Sequence, residues 1–429
     1  MSLSPMLHVT CSAPGKIILS GEHSVVYPGR PAIAASISKR CSCSLNITRE
    51  ETVTIRLNSL NFTRTLSLNE MVKAIKSRKE SAVNAGGKCD LKEIAGECTA
   101  GFLQMYSSDA DSFAMKNALH VILFLLTSMF CQIDKDHLSK CPGLVLTVNS
   151  DLVLGAGSGS SAAFAVSVAG SVYTYLRWLA CSMQDGATVA LEKHVHMNAN
   201  SWDTITSEDL DLINSLAFGA EKITHGTPSG LDNTICTYGG VVKLKRYEAG
   251  NEIEKTRATL PLEVLLIDTG VSRSTSNLVA KVAALKVRHE VIFEQLLTAL
   301  GSVTESFLDV LKSLSEIDPS DGVKMRTEFQ KLEDLIDMNQ GLLTSLGVSH
   351  PSLNQIIDIC KINGLHAKLT GAGGGGYAFA VIPPAFEKQS VDKCVEELER
   401  AKYKVYRDLK LGGPGFELKV ENETVVEAV

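Results

Sequence analysis

Gly155-Ala156-Gly157-Ser158-Gly159-Ser160-Ser161 is the stretch on which the reading of this chain turns. It lies between a strand pattern, Gly143 to Val148, and an apolar helical run, Ala162 to Trp178. Three alternate glycines let successive backbone N–H groups curl around an anion, and the helix that follows aims its positive dipole end at the same place. Ser160 and Ser161 can cap that helix and offer hydroxyls to a phosphate or a divalent cation. A plain strand-to-helix turn needs one glycine and one cap, so this composition indicates phosphate binding. No G-x-x-x-x-G-K-[ST] occurs anywhere. A second glycine run, Gly371 to Gly376, satisfies G-x-G-x-x-G only formally, because a strand pattern follows it where a dinucleotide site needs a helix.

Working outward, strand patterns appear at His8 to Ser12, Lys16 to Leu19, Ala32 to Ile37 and Cys41 to Ile47, with Pro14-Gly15, Gly21 and Pro28-Gly29 as turns between them. Thr52 to Leu57 and Thr63 to Leu68 add two more strands. Met71 to Asp90 is polar and lysine-rich and reads as a solvated helix and loop. Helical periodicity marks Ala114 to Gln132 and Glu208 to His225. The texture changes at Gly239-Gly240, where Val241 to Leu244 and Leu262 to Asp268 read as the opening strands of a second domain. The expected division is 1–235 and 236–429. Helices are expected at Ser276 to Ala299, Val303 to Glu316, Met325 to Leu346 and Pro384 to Ala401, with strands at the end of Gly373 to Ile382, at Lys404 to Leu409 and at Phe416 to Val420. That closing order suits a split βαβ layer.

Bulk properties bound the function. A chain of 429 residues with 45% apolar and 21% charged residues is ordinary globular material with room for two cores. A net charge of −6 and a pI near 6.0 leave no basic field for nucleic acid or anionic lipid, so a polyanion must be held locally. The apolar run Val121 to Cys131 is too short to span a bilayer, and Met1 to Pro14 lacks the pattern of a signal peptide, so the expected compartment is the cytoplasm. Eleven scattered cysteines without a C-x-x-C read as reduced buried thiols. His194 and His196, with Glu192 nearby, lack a recognised metal spacing.

Two further motifs flank the glycine loop. Ala13-Pro-Gly-Lys16 with Gly21-Glu-His23 lies before it, and Lys368-Leu-Thr-Gly-Ala-Gly-Gly-Gly-Gly376 after it. In this order the three resemble the GHMP small-molecule kinase family. Ser12 to Val26, Phe218 to Asn233, and Leu335 to Gln340 with Leu346-Gly-Val348 are similar to its eukaryotic mevalonate kinase branch. The resemblance implies an α+β, two-domain GHMP kinase fold. Its N-terminal domain is ribosomal-protein-S5-like, its C-terminal domain ferredoxin-like (split βαβ), and the active-site cleft lies between.

It further implies phosphoryl transfer from ATP to the C5 hydroxyl of mevalonate, with Mg2+ as cofactor. Carried over residue by residue, Asp232 and Lys16 are the catalytic pair. Gly155, Ala156, Gly157, Ser158, Gly159, Ser160 and Ser161 hold the nucleotide, and Ser161 and Glu221 hold the metal. Glu22, His23, Thr275, Gly371 and Ala372 lie on the substrate side. Ser158 stands where relatives have leucine. The resemblance also implies a homodimer and feedback inhibition by prenyl diphosphates. Other readings are a kinase of this fold acting on phosphomevalonate, galactose or homoserine, a related decarboxylase, or a sensor without turnover. Intact Lys16, Glu221 and Asp232 argue against the last. Gly21-Glu-His23 and Pro228-Ser-Gly-Leu-Asp232 favour mevalonate.

Overall fold

The alternating N-terminal sequence builds two long strands, β1 (His8–Ser20) and β2 (Pro31–Thr48), where four short ones were expected. Pro14-Gly15 is therefore not a turn. The β1–β2 register slips between Pro14 and Lys16, which makes the dipeptide a bulge. A proline has no N–H for the ladder, and a bulge is where a strand tolerates one. The computed structural model describes residues 7–84, 90–152, 157–182, 202–226, 228–256 and 262–421. His194, His196 and Glu192 lie outside them.

After β3 (Thr52–Leu57) and β4 (Phe62–Ser67) come α1 (Leu68–Asn84), α2 (Leu91–Tyr106), α3 (Phe113–Phe130), the single turn α4 (Lys135–Leu138) and β5 (Gly143–Ser150). Then follow α5 (Ser160–Ser182), α6 (Ser207–His225), α7 (Leu231–Tyr238), β6 (Val241–Tyr247) and β7 (Gly250–Thr256). The remainder comprises β8 (Glu263–Asp268), α8 (Thr275–Arg288), α9 (Glu290–Glu316), α10 (Gly322–Ser345), α11 (Pro351–Ile362), β9 (His366–Thr370), β10 (Tyr377–Ile382), α12 (Lys388–Arg400), β11 (Lys404–Lys410) and β12 (Glu417–Val420).

Two sheets organise these elements. The first has the order β12-β1-β2-β5-β3-β4, with β6 also on β2 and β7 on β6. The second, β11-β8-β10-β9, is antiparallel throughout. Numbered within itself it runs 4-1-3-2, the split βαβ layer expected. The expected boundary at 235/236, however, falls before two strands that pair in the first sheet, and β12 returns from the far end of the chain to β1. Local texture could not place the division, because cross-strand pairing between distant residues sets it. The helix break expected near 299–303 lies instead at His289, and α9 runs unbroken through Leu297, Leu300 and Phe307, all buried.

The largest core lies between α5 and the first sheet. Small residues on α5, among them Ala163, Ser167 and Gly170, let it approach closely, and nearly its whole length is buried. Ser171 donates to Cys43 O at 2.8 Å. α3 and α9 reach the length and hydropathy of a membrane span, but half of the α3 window and 44% of the α9 window are buried within the fold. Of the ten described cysteines only Cys181 is exposed. Burial pushes the Cys41 thiol up to about 11 and the Cys11 thiol up to about 12.

The return of β12 rests on Phe416, whose ring occupies the space beside Gly170. A Cβ built at Gly170 would lie 2.1 Å from it. Gly170→Ala is therefore expected to destabilise the protein by about 1–3 kcal/mol despite the better helix propensity of alanine. Urea titration measures this, and trimming the ring with Phe416→Ala in the same background should remove most of the clash.

Candidate active site

The phosphate loop enters α5 through Gly157 and Gly159, both with positive φ (82° and 74°) that a side chain would strain. Gly155 and Ala156 lie outside the described residues. The bulge of β1 docks directly on this loop. Lys16 N donates to Ser158 O at 2.8 Å, and a Cβ on Gly15 would lie 2.8 Å from the same oxygen. The Lys16 side chain then runs across Gly159, whose built Cβ would meet Lys16 Cγ at 2.8 Å. Pro-Gly-Lys is thus a sequence for close backbone approach. Ser158 is buried, and its hydroxyl has no hydrogen-bond partner among the described residues.

Lys16 Nζ reaches Asp232 Oδ1 at 3.2 Å. Asp232 stands in the first turn of α7, after Gly230 at φ 80°, and its side chain is 37% exposed to the cleft. Glu221 comes from the C-terminal end of α6. That helix is anchored at its other end by a capping box, Thr206 with Asp209, and Asp209 also accepts from Tyr173 Oη and from Arg177 Nη1 at 3.1 Å. Glu221 is 4% exposed. Asn233, next to Asp232, donates to Glu221 Oε2 at 3.1 Å and to Gly230 O at 3.0 Å when its amide is turned to satisfy both ends. Burial lifts the Glu221 carboxyl to about 8, the Asp232 charge adds to the rise and Lys16 opposes it. Two carboxylates facing one ammonium form a site that a divalent cation would complete, so Glu221 and the Ser161 hydroxyl fit a Mg2+ ion.

Beside the loop opens a cavity of about 410 Å³. Leu57, Leu60, Phe113, Val121, Val148 and Phe164 give it apolar walls, while Ser160, Ser161 and Thr224 form its polar end. A flat apolar base with a phosphate tail fits that gradient.

Across the cleft, His23 adopts φ 60°, a left-handed conformation that costs a non-glycine residue about 1–2 kcal/mol. Burial lowers its pKa, so the neutral ring donates from Nε2 to Ala372 O at 2.8 Å. Glu22 Oε1 is held by Lys368 Nζ at 2.5 Å, both side chains essentially inaccessible. Gly371 and Gly373 to Gly376 all have positive φ, between 67° and 129°. Arg273 fills the space this leaves. Its Nη1 donates to Thr370 O at 3.2 Å, and Cβ atoms at Gly371, Gly376 and Gly157 would each collide with the guanidinium. Thr275 opens α8, is exposed, and makes no side-chain hydrogen bond to this cluster among the described residues.

The fold therefore gathers Lys16, Ser158, Ser160, Ser161, Glu221 and Asp232 on one side and His23, Gly371 and Ala372 on the other. Glu22 is nearby but sealed. Sequence reading missed Lys368 and the wedging place of Arg273, and it passed over Asn233. Lys368 stood in the quoted motif, but a lysine in a strand is usually solvated, and only its partner 346 residues away reveals otherwise.

Comparison with known proteins identifies relatives of the whole chain. A family model described as GHMP kinases C terminal matches residues 325–405. Mevalonate kinase of Homo sapiens is 33% identical over 95% of this chain and 94% of its own length. Mevalonate kinase of Arabidopsis thaliana is 30% identical over 96% and 100%. Among solved structures, L. major mevalonate kinase in complex with R-mevalonate superposes with a TM-score of 0.60 at 22% identity, covering 94% of this chain and 96% of that one, which establishes the shared fold.

The raised Glu221 carboxyl has a consequence for stability. Its folded-state pKa of about 8 exceeds the ordinary 4.5, so its contribution is complete below about 4.5, falls as pH rises and is gone by about 8. In metal-free buffer Glu221→Gln is expected to gain on the parent by up to about 1 kcal/mol per pH unit between those limits, and then to level off. Thermal melts from pH 5 to 9 measure the gap, and a gap that stays constant would refute the buried-carboxyl account.

Proposed function

This chain belongs to the mevalonate kinase family, and on that premise we propose how its residues move the γ-phosphoryl group of ATP onto the C5 hydroxyl of mevalonate. It is an ATP-dependent small-molecule kinase. The observation that carries the mechanism is the Lys16–Asp232 contact at 3.2 Å, placed against the phosphate loop by the Lys16 N to Ser158 O bond. Asp232 faces the cleft and accepts the hydroxyl proton as the new P–O bond forms. Lys16 orients that carboxylate and stabilises negative charge gathering on the transferring phosphoryl group. The backbone of Gly155 to Ser161 and the N-terminus of α5 hold the phosphates, and the adjoining apolar cavity takes the base. Ser161 and Glu221 would hold Mg2+, which when bound neutralises phosphate oxygens. His23 and the Gly371–Ala372 backbone receive mevalonate, and Thr275 borders it.

The apolar cavity beside an anion-holding helix end equally suits a prenyl diphosphate, so such a molecule competes with ATP. A second copy packs on the corner of α8 and α9, where Val287, Val291 and Ile292 are exposed and apolar. The protein works in the cytoplasm.

Asp232→Asn is expected to lower kcat by about a thousandfold while ATP affinity stays within about threefold. Coupled ADP-release and equilibrium nucleotide-binding assays read the two separately, and near-parent turnover would remove Asp232 from the mechanism. The same ADP assay across mevalonate, phosphomevalonate, galactose and homoserine should favour mevalonate. Ser161→Ala is expected to raise the Mg2+ concentration needed for half-maximal rate by about tenfold, with kcat recovering at saturating metal.

A further inference from the structure

β9 is an edge strand. It pairs with β10 on one side, and the side chains on one of its faces reach the first sheet. There the chain makes contact through every second residue, as strand alternation dictates. Lys368 Nζ binds Glu22 Oε1 at 2.5 Å. Thr370 Oγ1 accepts from Ile18 N at 3.0 Å and donates to Ile18 O at 2.8 Å. Ala372 O, just past the strand, receives His23 Nε2 at 2.8 Å. Leu369 N, on the open edge, is taken by Gln340 Oε1 at 2.9 Å. The open edge is thus covered from α10, and one side-chain face of the strand joins the two sheets.

The contacts converge on one strained turn. Gly21 has φ 93°, and a Cβ there would lie 2.3 Å from Pro31 O, while His23 holds its left-handed φ without being glycine. Such a conformation persists only where its surroundings over-determine it. Here Glu22 is pulled inward by Lys368 on one side of His23, and the ring is held by Ala372 on the other. Lys368 has 0% exposure and the Glu22 carboxylate is sealed with it, so neither charge can touch a molecule in the cleft. A buried ion pair contributes little net stability, because removing both charges from water offsets their attraction. Its effect here is geometric.

The geometry points to Lys368 as a positioning residue for mevalonate. Through Glu22 it fixes the Gly21–His23 turn that presents the imidazole, and through β9 it sets where the Gly371–Gly376 backbone begins. Glu22 then acts on the substrate through His23 rather than by contact. This rests on the reading of the cleft as a mevalonate site. The nucleotide side has its own support in the Lys16 N to Ser158 O bond and α5, so the effect should fall on one substrate.

Steady-state kinetics and calorimetric binding of R-mevalonate, with thermal melts, test this on the full chain. The variants are Lys368→Met and the double variant Lys368→Met with Glu22→Gln, which leaves no lone buried charge. Both are expected to raise the mevalonate KM by about tenfold or more while the ATP KM moves by less than about twofold. The double variant should melt closer to the parent. If Lys368→Met does not fold, the double variant decides. A double variant with parental mevalonate KM, or KM values that rise equally for both substrates, would show a merely structural pair and overturn the proposal. Parent protein that does not turn over mevalonate strikes the substrate assignment first and the proposal with it. Active parent with unaffected variants strikes only Lys368.

Discussion

One backbone hydrogen bond, Lys16 N to Ser158 O at 2.8 Å, ties the strand that carries the cleft lysine to the glycine loop ahead of α5. Several sequence choices make sense only through it. The bond forms because β1 bulges at Pro14-Gly15, and the bulge needs a residue without a free N–H followed by one without a side chain. The approach is so close that Gly15 and Gly159 both border atoms a Cβ would strike. Once the backbones are locked, Lys16 has little freedom along its stem and its ammonium arrives at Asp232. Positioning of this kind is the main resource available to a phosphoryl-transfer enzyme, since the protein supplies little covalent chemistry.

Electrostatics completes what the backbone begins. Glu221 and Asp232 come from the end of one helix and the start of the next, separated by a turn rich in glycine, so the two carboxylates share a small volume with a single ammonium. Burial makes the arrangement unfavourable while both acids are charged, which is why Glu221 rises to about 8. The unfavourable charge balance is itself the device. A divalent cation held there would relieve the imbalance, and the Asn233 amide orients Glu221.

Much of this was legible from the residues alone, and the division between what was and was not is physical. The glycine loop, α5 and α6 announce themselves because loop chemistry and 3.6-residue periodicity are local. So does β10 after the second glycine run, whereas β9 before it was not expected. Pro14-Gly15 was misread as a turn because the same dipeptide serves turns and bulges, and only the partner strand tells them apart. β6 and β7, which lie in the expected second half, pair in the first sheet, because a strand carries no mark of the sheet it will join. α2 was not expected, although Ile94, Ala95, Cys98 and Phe102 bury one of its faces. The Gly-Glu-His motif was visible in the sequence, but the burial of its acid was not. The Glu22–Lys368 pairing spans 346 residues, and no spacing rule reaches that far.

The two faces of the cleft are built by different means, and that difference has mechanical meaning. On one face, the glycine loop and β1 belong to a single sheet and its covering helix α5. On the substrate face, His23 comes from the first sheet and Ala372 from the second, so the site exists only while the sheets are joined. The joint combines apolar packing, with Leu266, Tyr377 and Phe379 of the second sheet in the same core as the first, and polar contacts: Ser20 with Thr304 at 2.8 Å, Asn339 on Ser20 at 2.7 Å, Thr370 on Ile18, and the buried ion pair. Hydrogen bonds fix direction more sharply than apolar contact does, and a seam of them permits few alternative dockings. Arg273 extends the same logic toward the nucleotide, since its guanidinium fills the glycine-lined space between Gly157 and Gly371 to Gly376. A relative shift of the sheets would therefore be felt first at His23 and Ala372, since the glycine loop keeps its own tie to β1 through Lys16 N and Ser158 O.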